Sequence, residues 1–255
     1  MGESSTDIPK AVILTAIPLE YKAVCEHLVD IKEVEHEKGT LYDVGTFKGD
    51  RNTWEVSVAE VGAGNNSCGI ETERAIDFFN PKVVMFVGIA GGIKDVTYGD
   101  VVVATKAYGY ESGKVIKGKL LTRPDLGKSS YGILQRAMAV ARKDDWKKRI
   151  KNPELKEMPI AITKPIAAGE KVIASTRSEI YNLIRNYYND TVAVEMEGFG
   201  FYEAIDRNEG KQGLIVRGIS DLLENKEETD GKGYQVIAAQ NACAFAFEVL
   251  SRLKI

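Results

Sequence analysis

A chain of 255 residues, 44% apolar and 28% charged, is long enough for one large single-core domain and only marginally long enough for two, so one domain over residues 1–255 is expected. No apolar run approaches the length of a membrane span, and the polar residues 1–10 lack the basic flank and apolar stretch of a secretory signal, so a soluble cytoplasmic protein with no membrane partner is expected. Cys25, Cys68 and Cys243 show no C-x-x-C pairing and His27 and His36 are the only histidines, which argues against a disulfide framework, a metal site and Ser-His-Asp or Cys-His chemistry; neither metal nor cofactor is expected.

Taken in chain order, residues 11–14 form a short apolar run of strand type, and Pro18 then opens a helix carrying Ile17, Tyr21, Val24 and Leu28 at helical spacing. Residues 40–47 and 54–61 are predicted as antiparallel strands around the turn at 48–52, followed by a helix from about 67 to 79 that ends at Asn80-Pro81. The apolar strand 83–87 runs into Gly88-Ile-Ala-Gly91-Gly92, and Gly99-Asp100 opens a second buried strand at 101–104. Later strands at 160–162, 192–194 and 214–216 alternate with helices at 133–148, 178–188, 198–208 and about 233–252. This alternation predicts an α/β domain with a mixed, mostly parallel central sheet flanked by helices.

Net charge is −3, but between Ser112 and Lys151 twelve Lys/Arg face three Asp. Within this basic variable segment, 112–158, the excess reads either as a solvated face or as a sign of an anionic ligand. Interleaved aromatics are sparse there, with Tyr131 and Trp146 as exceptions, so no nucleic-acid partner is expected.

In sheets of this kind the ligand crevice lies beyond the carboxyl ends of the strands. The informative positions are therefore Glu20 after the first strand, Ile89 and Gly91 after residues 83–87, Glu195-Met196-Glu197 after residues 192–194, and Arg217 to Asp221 after 214–216. Two carboxylates directly after an apolar strand are costly to bury unpaired and should meet something polar, for which a ligand hydroxyl pair is a natural partner. Taken singly, Glu20, Glu197 and Asp221 also read as helix-start or turn acids.

Together, Ala16-Ile-Pro-Leu-Glu20, Gly88-Ile-Ala-Gly-Gly92, Gly99-Asp100-Val-Val, Val194-Glu-Met-Glu-Gly198 and Arg217-Gly-Ile-Ser-Asp221 resemble the nucleoside phosphorylase superfamily, most of all its 5′-methylthioadenosine/S-adenosylhomocysteine nucleosidases. The resemblance spans residues 11 to about 253 except the basic segment. It implies hydrolysis of the N-glycosidic bond of a purine, most simply adenine, nucleoside or nucleotide, by a homodimer or higher homo-oligomer. It assigns Asp221 to proton donation at the purine N7, Glu20 to the attacking water, Glu197 to the ribose hydroxyls and Met196 to the sugar face. Glu195, Ser220, Arg217, Val172, Ile89 and Gly91 are the remaining candidate substrate contacts. Acid catalysis suits the chemistry, since a neutral purine leaves more easily than an anion; for this Asp221 must be raised from roughly 4 by burial while Glu20 stays ionised.

The Ile89 side chain cannot donate a hydrogen bond to phosphate where phosphorylases of the family place a basic residue and a Ser/Thr, which favours water as nucleophile, although backbone N–H groups there remain able to bind an anion. Val172 stands where the nucleosidases offer an aromatic ring to the base. The cations Lys114, Lys117, Lys119 and Arg123, with Lys171, would suit a 5′-phosphate and hence AMP or ATP, the substrate of immune effector relatives of this fold. Phosphorolysis, a non-catalytic nucleotide-binding module, and an NAD-binding oxidoreductase read from Gly62-Ala-Gly64 are the other readings.

Overall fold

The computed structural model describes residues 8–151, 158–173, 175–223 and 233–254. Its core is a mixed sheet whose central strands pair mainly in parallel and whose pairings at one edge are antiparallel, flanked among the described residues by six α-helices. In chain order, β1 is Lys10–Thr15, α1 Pro18–Cys25, β2 Val29–Glu35, β3 Leu41–Lys48, β4 Thr53–Glu60, α2 Asn65–Phe79, β5 Val83–Gly92 and β6 Val101–Gly109. There follow β7 Gly113–Ile116, β8 Lys119–Thr122, β9 Asp125–Lys128, α3 Tyr131–Ala141, a 3-10 turn Asp145–Arg149, β10 Ala161–Ala168 and α4 Glu179–Tyr187. The chain finishes with β11 Ala193–Glu195, α5 Gly198–Arg207, β12 Gln212–Leu222 and α6 Tyr234–Arg252.

The strand order is β11-β10-β6-β12-β5-β1-β4-β3-β2, with β9 added to β6. β1, β4, β5 and β12 run parallel, as do β6, β10 and β11, while β12 meets β6 antiparallel. The unbroken apolar runs of β1 and β5 follow from burial on both faces of the sheet. On one face, α6 is buried from Ala238 through Ser251, with Phe245 and Phe247 in the core and Trp54 Nε1 donating to Leu250 O at 3.1 Å. On the other, α2 and α5 cover Leu14, Phe86 and Ile215.

The short strand β11 pairs twice, parallel with β10 and antiparallel with β5 through Ala193 to Gly92 and Val194 to Gly91. Strands β5, β12, β6, β10 and β11 therefore close into a ring. This closure delivers the ends of β5, β11 and β12 to one spot.

Several sequence expectations are corrected. The helix expected over 133–148 ends at Ala141; Trp146, almost fully buried, turns into the core against Phe245, so the chain re-enters as a 3-10 turn. The first helix stops at Cys25, short of Leu28, and gives way to the edge strand β2, whose mostly exposed residues carry no core signal. The basic stretch folds as the hairpin β7–β8, turning at Lys117 and Gly118 with φ of 49° and 77°, the pair of positive values a type I′ turn requires. β5 and β12 extend to Gly92 and Leu222, so residues 88–92 and 217–221 lie within strands rather than after them; β12 accommodates its register shift between Ile219 and Asp221. Cys68 and Cys243 are buried and Cys25 is half-buried. No described helix is long and apolar enough to cross a membrane.

Candidate active site

A cavity of about 430 Å³ opens at the carboxyl ends of these strands. The β1–α1 junction contributes Ala16, Ile17 and Glu20, and β5 contributes Ile89 to Gly91. Lys171, Val172 and Ile173 come from the strap after β10, and Val194 to Glu197 from the end of β11. Ser220, Asp221 and Leu223 come from the end of β12, and residues 233–236 from the start of α6.

Glu20 is the third residue of α1, and the turn that starts the helix brings its carboxylate back over the preceding backbone. Oε2 accepts from Ala16 N at 2.7 Å and Ile17 N at 3.2 Å, and Oε1 accepts from Ile89 N at 2.8 Å. Burial raises the Glu20 pKa, opposed by the Arg217 charge and these three amides.

Arg217 is fully buried on β12, directly beside Gly88 of β5. A Cβ on Gly88 would collide with both the Glu20 carboxylate and the Arg217 guanidinium, so only glycine lets these charges approach across the strand. The guanidinium lies over the Phe86 ring at 4.5 Å, and its Nη2 donates to Glu195 Oε2 and, at 2.9 Å, to Glu197 Oε2. Burial opposes the Arg217 charge, but Glu195, Glu197 and Glu20 overcome it and raise its pKa.

Glu195 is buried and holds the start of α5, accepting from Glu197 N at 3.1 Å and from Gly198 N at 2.9 Å. Burial pushes its pKa up to about 7; the Arg217 charge opposes this and the Glu197 charge reinforces it. Glu197, at the start of α5, accepts from Gly64 N at 3.1 Å with Oε1 and from Arg217 with Oε2. A carboxylate offers about four lone-pair directions, so two remain for hydroxyl donors. Asp221 Oδ2 accepts from Ser220 Oγ at 2.9 Å, and both side chains reach the same cavity.

The structure thus brings Glu20, Ile89, Gly91, Lys171, Val172, Glu195, Met196, Glu197, Ser220 and Asp221 to one lining. Arg217 stands behind it, among the carboxylates. Lys114 lies on β7 and Arg123 just past β8, with its N–H on Ser112 O, and neither lines the cavity; the Lys119 side chain falls outside the described residues. The rest of the basic segment is spread elsewhere. Lys147 and Lys148 pair with Asp144 and Asp145, and Arg149 pairs with Glu248, roughly 20 Å along α6 from Tyr234. Sequence reasoning missed Tyr234 and Ile173 in the lining, and the Gly64 amide behind Glu197. An aromatic at a helix start and a glycine-rich turn are too common to signal a site on their own.

The Phosphorylase superfamily model matches residues 10–253. A DeoD-type purine nucleoside phosphorylase of Proteus mirabilis is 26% identical over 90% of this chain and 87% of its own length. A 5′-methylthioadenosine/S-adenosylhomocysteine nucleosidase of Desulfotalea psychrophila is 25% identical over 96% and 98%. The crystal structure of such a nucleosidase from Colwellia psychrerythraea in complex with adenine shares the fold, with a TM-score of 0.77 at 22% identity over 96% of this chain and 95% of that one. From the closed strand ring and the carboxylates gathered at its mouth to the match over almost its whole length, the chain belongs to the phosphorylase superfamily.

Proposed function

We propose that this protein is a nucleosidase that hydrolyses the N-glycosidic bond of a purine nucleoside, adenine being the preferred base, and releases the free base. The observation that carries the choice of water over phosphate is the seat of Glu20. Its carboxylate takes the amides of Ala16, Ile17 and Ile89, the kind of backbone cradle that would otherwise bind an anion, and sets a negative charge there. Phosphate would find those donors taken and be repelled.

In this reading Glu197 accepts the ribose hydroxyls with its remaining lone pairs, held in place by Gly64 N–H and Arg217. As the C1′–N9 bond breaks, its electron pair moves to the purine, which takes a proton at N7 from Asp221. The oxocarbenium-like sugar is stabilised by a site where carboxylates outnumber the Arg217 charge. Water adds to C1′ and gives its proton to Glu20.

The described part of the lining favours a nucleoside over a nucleotide. Among Lys114, Lys171 and Arg123, only Lys171 lines the cavity, and it is paired with Glu111. We also propose a homodimer or higher homo-oligomer, supported by the apolar Val115, Ile116 and Leu121 exposed on β7–β8. Sedimentation analysis checks this.

The deciding experiment incubates the protein with methylthioadenosine, adenosine, inosine, AMP and ATP, each with and without phosphate, and quantifies free base. Base released from methylthioadenosine or adenosine without phosphate is expected. Release only when phosphate is present overturns hydrolysis, and release only from AMP or ATP overturns the nucleoside preference.

A further inference from the structure

We propose that Glu170 is a positioning residue that clamps the strap 169–173 onto the start of α2 and so fixes two walls of the cavity relative to one another. The inference rests on the nucleosidase reading of that cavity. Glu170 is exposed and is not in the lining, yet its Oε1 accepts from Asn65 N at 3.0 Å and from Asn65 Nδ2 at 3.1 Å, across 105 positions of sequence.

What stands on either side of this contact gives it functional reach. The three residues after Glu170 are Lys171, Val172 and Ile173, all in the lining. The residue before Asn65 is Gly64, whose N–H holds Glu197 Oε1. Asn65 Oδ1 in turn accepts from Gly200 N at 3.0 Å, in the first turn of the helix that Glu197 begins. Glu170 therefore joins the strap to Asn65 at the α2 start, and Asn65 in turn joins the α2 start to the α5 start beside Glu197.

The other end of the strap is anchored independently. Gly169 N donates to Glu195 O at 3.2 Å, Glu170 N donates to Glu111 Oε2 at 3.2 Å, and Lys171 pairs with Glu111. With its root fixed in this way, loss of the Glu170 side chain frees the strap's hold on α2 without detaching the strap. Gly64 also has to be glycine here: its φ is 110°, and a Cβ would come within 2.9 Å of Glu170 Oε2. A charged acceptor on the first amide of a helix makes a strong hydrogen bond, and the helix end favours its negative charge.

The test compares wild type, Glu170→Ala and Glu170→Gln by steady-state base release from methylthioadenosine, by calorimetric titration with adenine and by thermal unfolding. Glu170→Ala is expected to raise KM roughly ten- to 150-fold, the scale of a lost hydrogen bond to a charged group. Its kcat should change less than about threefold, because Glu20 and Asp221 are untouched. Its adenine Kd should rise with KM, and Tm should fall by less than about 10 °C, so that the variant stays folded at the assay temperature. Glu170→Gln keeps an oxygen for Asn65 N–H and should restore KM to within about threefold of wild type. An Ala variant with unchanged KM and adenine Kd overturns the clamp, as does a Gln variant as impaired as Ala. If wild type binds adenine but releases no base, the nucleosidase reading fails while the clamp is still judged by the adenine Kd. If it neither binds nor turns over, both fail.

Discussion

Arg217 Nη2 donates at 2.9 Å to Glu197 Oε2 from a position with no access to solvent, and the same nitrogen serves Glu195. A buried cation shared between two carboxylates is costly to remove, because it leaves two buried, neighbouring acids without their counter-charge. Arg217→Met should therefore lose about 3–5 kcal/mol of stability, the scale measured for one-sided removal of a buried ion pair. Arg217→Lys should recover only part of this, since an ammonium keeps the charge that the single nitrogen Nη2 presents to both acids but loses the planar stacking over Phe86. Urea unfolding of both variants checks this, and a Met variant as stable as wild type would show that the carboxylates do not need the guanidinium.

Asp221→Asn should lower turnover about 10²–10⁴-fold, the usual scale of lost acid catalysis, with a smaller effect on KM. Base release followed by chromatography measures it. Undiminished turnover removes Asp221 from the acid role.

Burial raises the Glu20 pKa above 4.5 against the opposing pull of Arg217 and three amides. A general base works only when ionised, so kcat/KM should fall as pH is lowered, with a midpoint above 4.5. A rate profile from pH 4 to 9 tests this. An acid limb that persists unchanged in the residual activity of Glu20→Gln assigns the titration to another group.

Glu195 gives a stability signature of the opposite sense to most carboxylates. Burial first, with Arg217 opposing and Glu197 adding, lifts it from 4.5 to about 7 in the folded protein. Folding therefore favours its protonated form. The associated stability is complete below pH 4.5 and is lost as pH rises through about 7. The drop in Tm between pH 5 and pH 8 should be smaller in Glu195→Gln than in wild type; equal drops would mean that Glu195 titrates as an ordinary carboxylate.

The elements that proved legible in the sequence are those whose residues report directly on burial. The runs 11–14, 83–87 and 214–216 are apolar because both faces of the sheet are covered, and they fall inside β1, β5 and β12. Glu20, Glu195, Glu197 and Asp221 stood out because an acid beside such a run needs a polar reason to be there. The strand β2 escaped notice because an exposed edge need not alternate, and the 3-10 turn escaped because Trp146 suits a helical pattern as readily as a turn into the core.

The sequence by itself determined the α/β alternation, the family motifs and the acids at the strand ends, since hydrophobic periodicity and local turn chemistry are properties of neighbours in the chain. Only the tertiary structure decided that Arg217 stands behind the carboxylates, that Glu20 fills a cradle of three amides, and that Lys114 and Arg123 lie off the cavity lining while Lys171 is on it. Those relations depend on β11 closing the ring against β5 and on Gly88 letting two charges meet across a strand, contacts between residues up to 197 positions apart whose geometry no local pattern encodes.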